Sequence, residues 1–248
     1  MAKIYEALEY MQRTKRRESP QEKKLPVSPS PVLSIPHSLQ SEFEGEMVRL
    51  YQNLHASLSD LTKKVILFVG SRQGEGTSTI VREFAKVVAS RFNHSVVLLD
   101  ANPYDAGQHL SFDVKPNLGW TDVMLNGKPP ESALYRIAGT NLFISPMCGD
   151  SKASPQIPNA LAWEAFLGKL KERFDLVLID SPPATLYPDG LSIVNKVDGV
   201  VLVVAAEDTR WPVAESVKDN ITRSGGRLLG IVFNKRRFYI PEFIYRRL

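Results

Sequence analysis

From residue 64 onward, short unbroken apolar runs alternate with longer segments whose apolar residues recur every three or four positions. With the polar residues that bound two of them (Ser95; Asn141 and Ser145), they place strands at residues 65–69, 95–99, 141–145, 176–179, 199–205 and 229–233. A run apolar at every position, bounded by polar residues, reads as a strand buried on both faces of a parallel sheet. Between the runs lie expected helices at 78–92 (Val81, Phe84, Ala85 and Val88 inward), 121–125, 131–135, 159–174, 187–197 and 213–224. Such alternation predicts an α/β fold, a doubly wound and mainly parallel sheet flanked by helices.

Ahead of it the pattern changes twice. Ile4, Leu8 and Met11 are spaced by four and three, so residues 1–17 are expected to form an amphipathic helix. A lone helix this short is marginal in water and needs something to dock on. Residues 18–40 carry Pro20, Pro26, Pro29, Pro31 and Pro36 among serines and read as an extended linker. A second helix is expected at 42–59, with Met47, Leu50, Leu54 and Leu58 on one face. The domain is therefore placed at 41–235, followed by a tail at 236–248 in which basic and aromatic residues interleave.

A length of 248 residues suits one such domain with its tails. The net charge of +4 is unevenly placed: residues 1–24 carry +3, residues 235–248 carry +4, and the body between them is acidic. No basic helix or aromatic-studded sheet accompanies the basic ends, so nucleic acid is not expected as a partner. An anionic membrane surface or an acidic partner suits them at least as well. Cys148 is the only cysteine, which excludes an internal disulfide and fits a reducing compartment. Neither an apolar run of 18 residues nor a signal-peptide core is present, so the protein is expected in the cytoplasm.

In open α/β sheets ligands sit beyond the carboxyl ends of the strands. Four loops there carry unusual residues. After Val69 comes Gly70-Ser71-Arg72-Gln73-Gly74-Glu75-Gly76-Thr77-Ser78-Thr79, between a strand and a helix. Glycines at this place let main-chain N–H groups cradle phosphate at the positive end of a helix. Ser78 stands where a P-loop hydroxyl ligates Mg²⁺, but Thr77 stands where lysine is expected. A capped, ligand-free glycine turn is the plain alternative. Asp100 ends the second run, where it reaches a cation or serves as a cap or ion-pair member. Asp180 ends the run Leu176-Val177-Leu178-Ile179 and is followed by Ser181-Pro182-Pro183, the form of a Walker B magnesium aspartate. Asn234 follows the last run, as an adenine contact or as a turn former. His37, His55, His94 and His109 lack metal-ligand spacing, and Trp120, Trp163 and Trp211 read as core or interface residues.

Together these residues resemble the cytoplasmic kinase domain of bacterial tyrosine kinases of the CpsD/CapB type, a branch of the MinD/ParA P-loop ATPases. The likeness spans about residues 42–235. Gly74 to Thr79 reads GEGTST against the family's GEGKST, Asp100 to Tyr104 reads DANPY against DADLR, and Asp180 to Pro183 reads DSPP. The resemblance implies ATP or ADP with Mg²⁺ at Gly74, Glu75, Gly76, Thr77, Ser78 and Thr79. It implies Ser78, Asp100 and Asp180 at the metal and Asn234 at the base. It also implies work beside a Wzz-like polysaccharide copolymerase at the inner face of the membrane, and oligomerisation.

Three departures bear on activity. Thr77 removes the lysine that bridges phosphates, Asn102 replaces the second Walker A′ aspartate, and the tail keeps only Tyr239 and Tyr245 of a tyrosine cluster. The oligomerisation motif is thin too, with Arg49 followed by Tyr51-Gln52-Asn53. The expected function is a pseudokinase-like regulatory component of exopolysaccharide biosynthesis or export with weakened nucleotide binding. One alternative is an active tyrosine autokinase or ATPase in which Arg72 or Lys128 replaces the lost charge. A MinD-like membrane-surface switch working through residues 236–248 is the other.

Overall fold

A computed structural model describes residues 37–147, 160–186 and 191–236. The expected helix at 1–17, most of the linker, and residues 237–248 of the tail, with Tyr239 and Tyr245, lie outside the described residues. The chain divides into a unit ending at Leu39 and one running from Gln40 to Leu248.

Helix α1 (His37–Leu58) begins five residues earlier than expected. Then follow β1 (Lys64–Gly70), α2 (Thr77–Arg91), β2 (Val96–Asp100), the one-turn α3 (Gln108–Ser111) and α4 (Trp120–Asn126). A 3-10 turn (Pro130–Ala133), β3 (Tyr135–Arg136) and β4 (Leu142–Ser145) lead to α5 (Ala160–Arg173), β5 (Leu176–Asp180) and β6 (Gly199–Ala205). The chain continues through α6 (Trp211–Arg223) to β7 (Leu228–Asn234). Among the described residues seven strands form one sheet in the order β3-β4-β2-β5-β1-β6-β7. Every pairing is parallel except β3 with β4.

The strands read as unbroken apolar runs because both faces are covered. Side chains alternate between faces along a strand. Val65, Leu67, Val69, Val97, Leu99, Val177 and Ile179 face one core with Trp120, Trp163, Phe166, Leu170, Val217 and Ile221. Ile66, Phe68, Val96, Leu98, Leu176 and Leu178 face the other with Met47, Leu54, Val81, Phe84 and Val88. The doubly wound sheet expected from the sequence is thus present. No described helix is long and apolar enough to cross a membrane.

Two expected helices differ. Residues 131–135 form the 3-10 turn and enter β3, because Pro129 and Pro130 fix the chain there and Tyr135 pairs with Ile144 at the sheet edge. Within 187–197 the described part holds turns and 3-10 geometry, with a 3-10 turn at Val194–Lys196, and no α-helix. Its apolar residues Leu191, Ile193 and Val194 are buried from a tight turn.

Candidate nucleotide and cation site

The loop after β1 turns through two left-handed glycines, Gly74 (φ 82°) and Gly76 (φ 87°). L side chains rarely adopt this conformation. Between them Glu75 turns inward and is 3% exposed. Its Oε1 accepts hydrogen bonds from the Ser71 hydroxyl (2.6 Å), the Ala205 N–H (3.4 Å) and the Thr209 hydroxyl. Its Oε2 accepts from the Arg72 N–H at 2.8 Å. A buried carboxylate persists only with such donors. The Glu75 side chain therefore ties the loop to the end of β6 and does not face a phosphate. The Asn234 amide completes the tie by donating to the Glu75 carbonyl at 2.8 Å. Its own Oδ1 accepts from the Lys235 N–H. Both polar ends of Asn234 are thus engaged within the chain.

Thr77 opens α2. Its hydroxyl oxygen lies 2.6 Å from where a Cβ on Gly70 would sit, so it is folded back over the end of β1. Thr79 is exposed and Ser78 is half-buried.

Asp100 and Asp180 end neighbouring strands and stand opposite each other in register. Each is 1% exposed. Asp180 Oδ2 accepts from the Gln108 amide at 2.7 Å, and the same amide nitrogen donates to the Ser78 carbonyl at 2.9 Å. Asp100 Oδ2 accepts from the Gln108 main-chain N–H at 3.0 Å. Among the described residues, Asp180 Oδ1 and Gln108 Oε1 are buried without a hydrogen-bond partner. The Trp120 indole donates to the Asp100 carbonyl at 2.8 Å and fixes the strand end from below.

Burial pushes both carboxyls up. Asp180 rises to about 6, restrained by the Gln108 amide, the Ser78 hydroxyl and the Arg82 guanidinium. Asp100 rises to about 7, through burial and then the negative charge of Asp180, against the pull of the Gln108 and Asn102 N–H groups. The two carboxyls titrate as a coupled pair, since a charge on one opposes ionisation of the other. A divalent cation would relieve both. The donor set of two carboxylates and a hydroxyl is hard oxygen, which suits Mg²⁺. No cluster of three or more His, Cys, Asp or Glu stands together among the described residues.

The structure thus brings Ser78, Asp100 and Asp180 to one place, with the glycine loop beside them. Asn102 is 7% exposed, and its Oδ1 accepts from the Tyr104 N–H at 3.2 Å, an Asx turn that shapes the loop. Arg72 and Lys128 are exposed, and Arg49 pairs with Glu46 on α1. Trp120 and Trp163 are core residues, whereas Trp211 is 63% exposed. Sequence reasoning missed Gln108 and Arg82. Neither falls in a motif. The one available signal was a polar residue next to Gly107, shortly after the strand that ends in Asp100.

Residues 63–211 match the family model described as cellulose biosynthesis protein BcsQ. The chain is 28% identical over 176 residues to the tyrosine-protein kinase CpsD of Streptococcus agalactiae, covering 69% of this chain and 74% of that one. Among solved structures, the kinase domain of the Escherichia coli tyrosine kinase ETK superposes with a TM-score of 0.70 at 16% identity, covering 79% of this chain and 78% of the other. The septum site-determining protein MinD with Mg-ADP from Pyrococcus horikoshii superposes with a TM-score of 0.58 at 23% identity, covering 68% and 69%. The last two share the fold. With well over half its length matched, the chain belongs to the BcsQ family, on the fold common to bacterial tyrosine kinases and MinD.

Proposed function

We propose that this protein is a kinase-like regulatory component of bacterial exopolysaccharide biosynthesis or export, in which the nucleotide site is kept as a scaffold and phosphoryl transfer is weakened or lost. The observation that carries the reading is Thr77. A lysine there would reach several bonds beyond the helix end, whereas the threonine hydroxyl rests against Gly70. The family's link to cellulose biosynthesis and the likeness to tyrosine-protein kinases support the pathway.

In this reading the main chain of Gly74, Glu75, Gly76, Thr77, Ser78 and Thr79 holds phosphates at the amino end of α2. Ser78, Asp100 and Asp180 hold Mg²⁺. Asn234 would hold the phosphate loop in place through the Glu75 carbonyl, on the side where the resemblance puts the base. Mg-ATP, when bound, supplies the phosphoryl group and the cation charge. The Asn102 amide cannot take up a proton from an attacking hydroxyl, unlike an aspartate. The partner class is a membrane protein of the polysaccharide machinery, such as a Wzz-like copolymerase, or a further copy of this chain. The chain would then act at the inner membrane face through that partner.

Calorimetric titration with Mg-ATP and Mg-ADP, beside an autophosphorylation assay on the full chain, tests the reading. Weak nucleotide binding without phosphotyrosine is expected; robust tyrosine autophosphorylation would overturn it. A second reading, residual ATPase or kinase activity, is favoured by Arg72. Its main-chain N–H is anchored to Glu75 while its side chain is exposed at the loop. Arg72→Ala leaving ATP affinity unchanged would remove that reading.

A further inference from the structure

We propose that Gln108 is a built-in stand-in for the divalent cation of the Ser78–Asp100–Asp180 site, and the gate that an arriving cation displaces. This rests on the cation reading of that site.

Gln108 is 2% exposed, although glutamine is seldom buried so deeply. It touches all three positions. Its amide nitrogen donates to Asp180 Oδ2 at 2.7 Å and to the Ser78 carbonyl at 2.9 Å, and its main-chain N–H donates to Asp100 Oδ2 at 3.0 Å. Two of these donors present partial positive charge to the carboxylate oxygens that a cation would seek, and the contact to the Ser78 carbonyl holds the amide against the start of α2. Beside them, Gln108 Oε1 and Asp180 Oδ1 are buried acceptors without partners among the described residues. An amide serving structure alone would be expected to have its acceptor satisfied as well. Here the donors are used and the acceptors are left over, which is the complement of a positive ion.

The carrier is suited to withdrawal. Gln108 opens α3, a helix of four residues outside the sheet ladder. Moving it breaks no strand pairing. A cation on Asp180 Oδ2 and the Gln108 amide compete for the same lone pairs, so the amide holds the cation affinity down until it leaves. Removing the amide should raise that affinity about tenfold, the worth of one charge-assisted hydrogen bond.

The test uses the full chain and Mn²⁺ as probe, followed by loss of the free-ion paramagnetic resonance signal. Wild type, Gln108→Ala, Gln108→Met and Asp180→Asn are compared after thermal melts have checked folding. Gln108→Met keeps the length and apolar stem in case the alanine variant does not fold. Expected are about tenfold tighter binding in both Gln108 variants and its loss in Asp180→Asn. Equal affinity in wild type and the Gln108 variants, still abolished by Asp180→Asn, overturns the gate and leaves the cation site standing. Weaker binding in the Gln108 variants makes Gln108 a ligand and also overturns the gate. Absence of Asp180-dependent binding in every variant removes the cation site, and the gate with it.

Discussion

The side-chain amide of Asn234, at the end of the last strand, donates to the main-chain carbonyl of Glu75 in the middle of the loop after the first strand. The contact spans 159 residues of sequence and passes directly over Gly76. A Cβ on Gly76 would lie 2.3 Å from the Asn234 amide nitrogen, and Gly76 has a φ of 87°. The backbone penalty of a left-handed alanine is about 1–2 kcal/mol before any clash. Gly76→Ala should therefore destabilise the domain by at least about 2 kcal/mol in urea denaturation. In Gly76→Ala/Asn234→Ala the clash is gone, so the double variant should cost less than the sum of the single ones. Strict additivity would show that the amide does not press on the loop.

Glu75 is the second prediction. Its carboxylate takes four donors from two stretches of chain, residues 71–72 and residues 205–209. Glu75→Gln keeps the size but turns an NH₂ group toward at least one of those donors. Two donors then face each other in a buried place, at a cost of about 1–3 kcal/mol. A midpoint shift at unchanged m-value is the expected observation. An unshifted midpoint would mean that the loop is held without the carboxylate.

Thr77→Lys tests the phosphate cradle. The added ammonium can make a charge-assisted contact worth roughly 1.5–3 kcal/mol, so Mg-ATP affinity should rise by about 10- to 150-fold. Calorimetric titration of both proteins decides it. Equal affinities would place the weakness elsewhere in the loop.

Much of this was legible before any coordinates. The strand runs announced themselves because Ile66 and Leu67 are both buried, on opposite faces, so no polar position interrupts them. Asp100 and Asp180 were legible because each ends such a run, and parallel register then sets them opposite each other. What was hidden depends on tertiary approach. Thr209 meets Glu75 across 134 residues, and Gln108 meets Asp180 across 72. A glutamine in a loop has no periodicity to betray a buried role. The 131–135 segment misled for a related reason. Its apolar spacing fits a helix turn, but Tyr135 serves the sheet edge, and its hydroxyl accepts the Asn117 and Leu118 N–H groups.

The last prediction concerns pH. Burial raises Asp100 to about 7 and Asp180 to about 6, from ordinary values near 3.8. Below about pH 4 both groups are protonated in folded and unfolded chains alike, and their contribution to stability is intact. Between about pH 4 and 7 the unfolded chain releases these protons before the folded one, so the folded state binds more protons and stability falls as pH rises. The loss should amount to a few kcal/mol and level off above about pH 7. Carboxylates held low, such as Asp175 with its Ser95 partners, act the other way: their contribution is lost only as pH falls below the ordinary carboxylate range. The two effects therefore occupy different windows. Asp180→Asn should flatten the slope between pH 4 and 7 and leave the acid limb unchanged in denaturation curves taken across pH. Divalent cations should reverse the slope, because they favour the ionised pair. Mn²⁺ affinity should climb between pH 5.5 and 7.5 with protons released on binding, measured by titration in buffers of different ionisation enthalpy. A flat affinity across that range would mean that the buried pair is not where the cation binds.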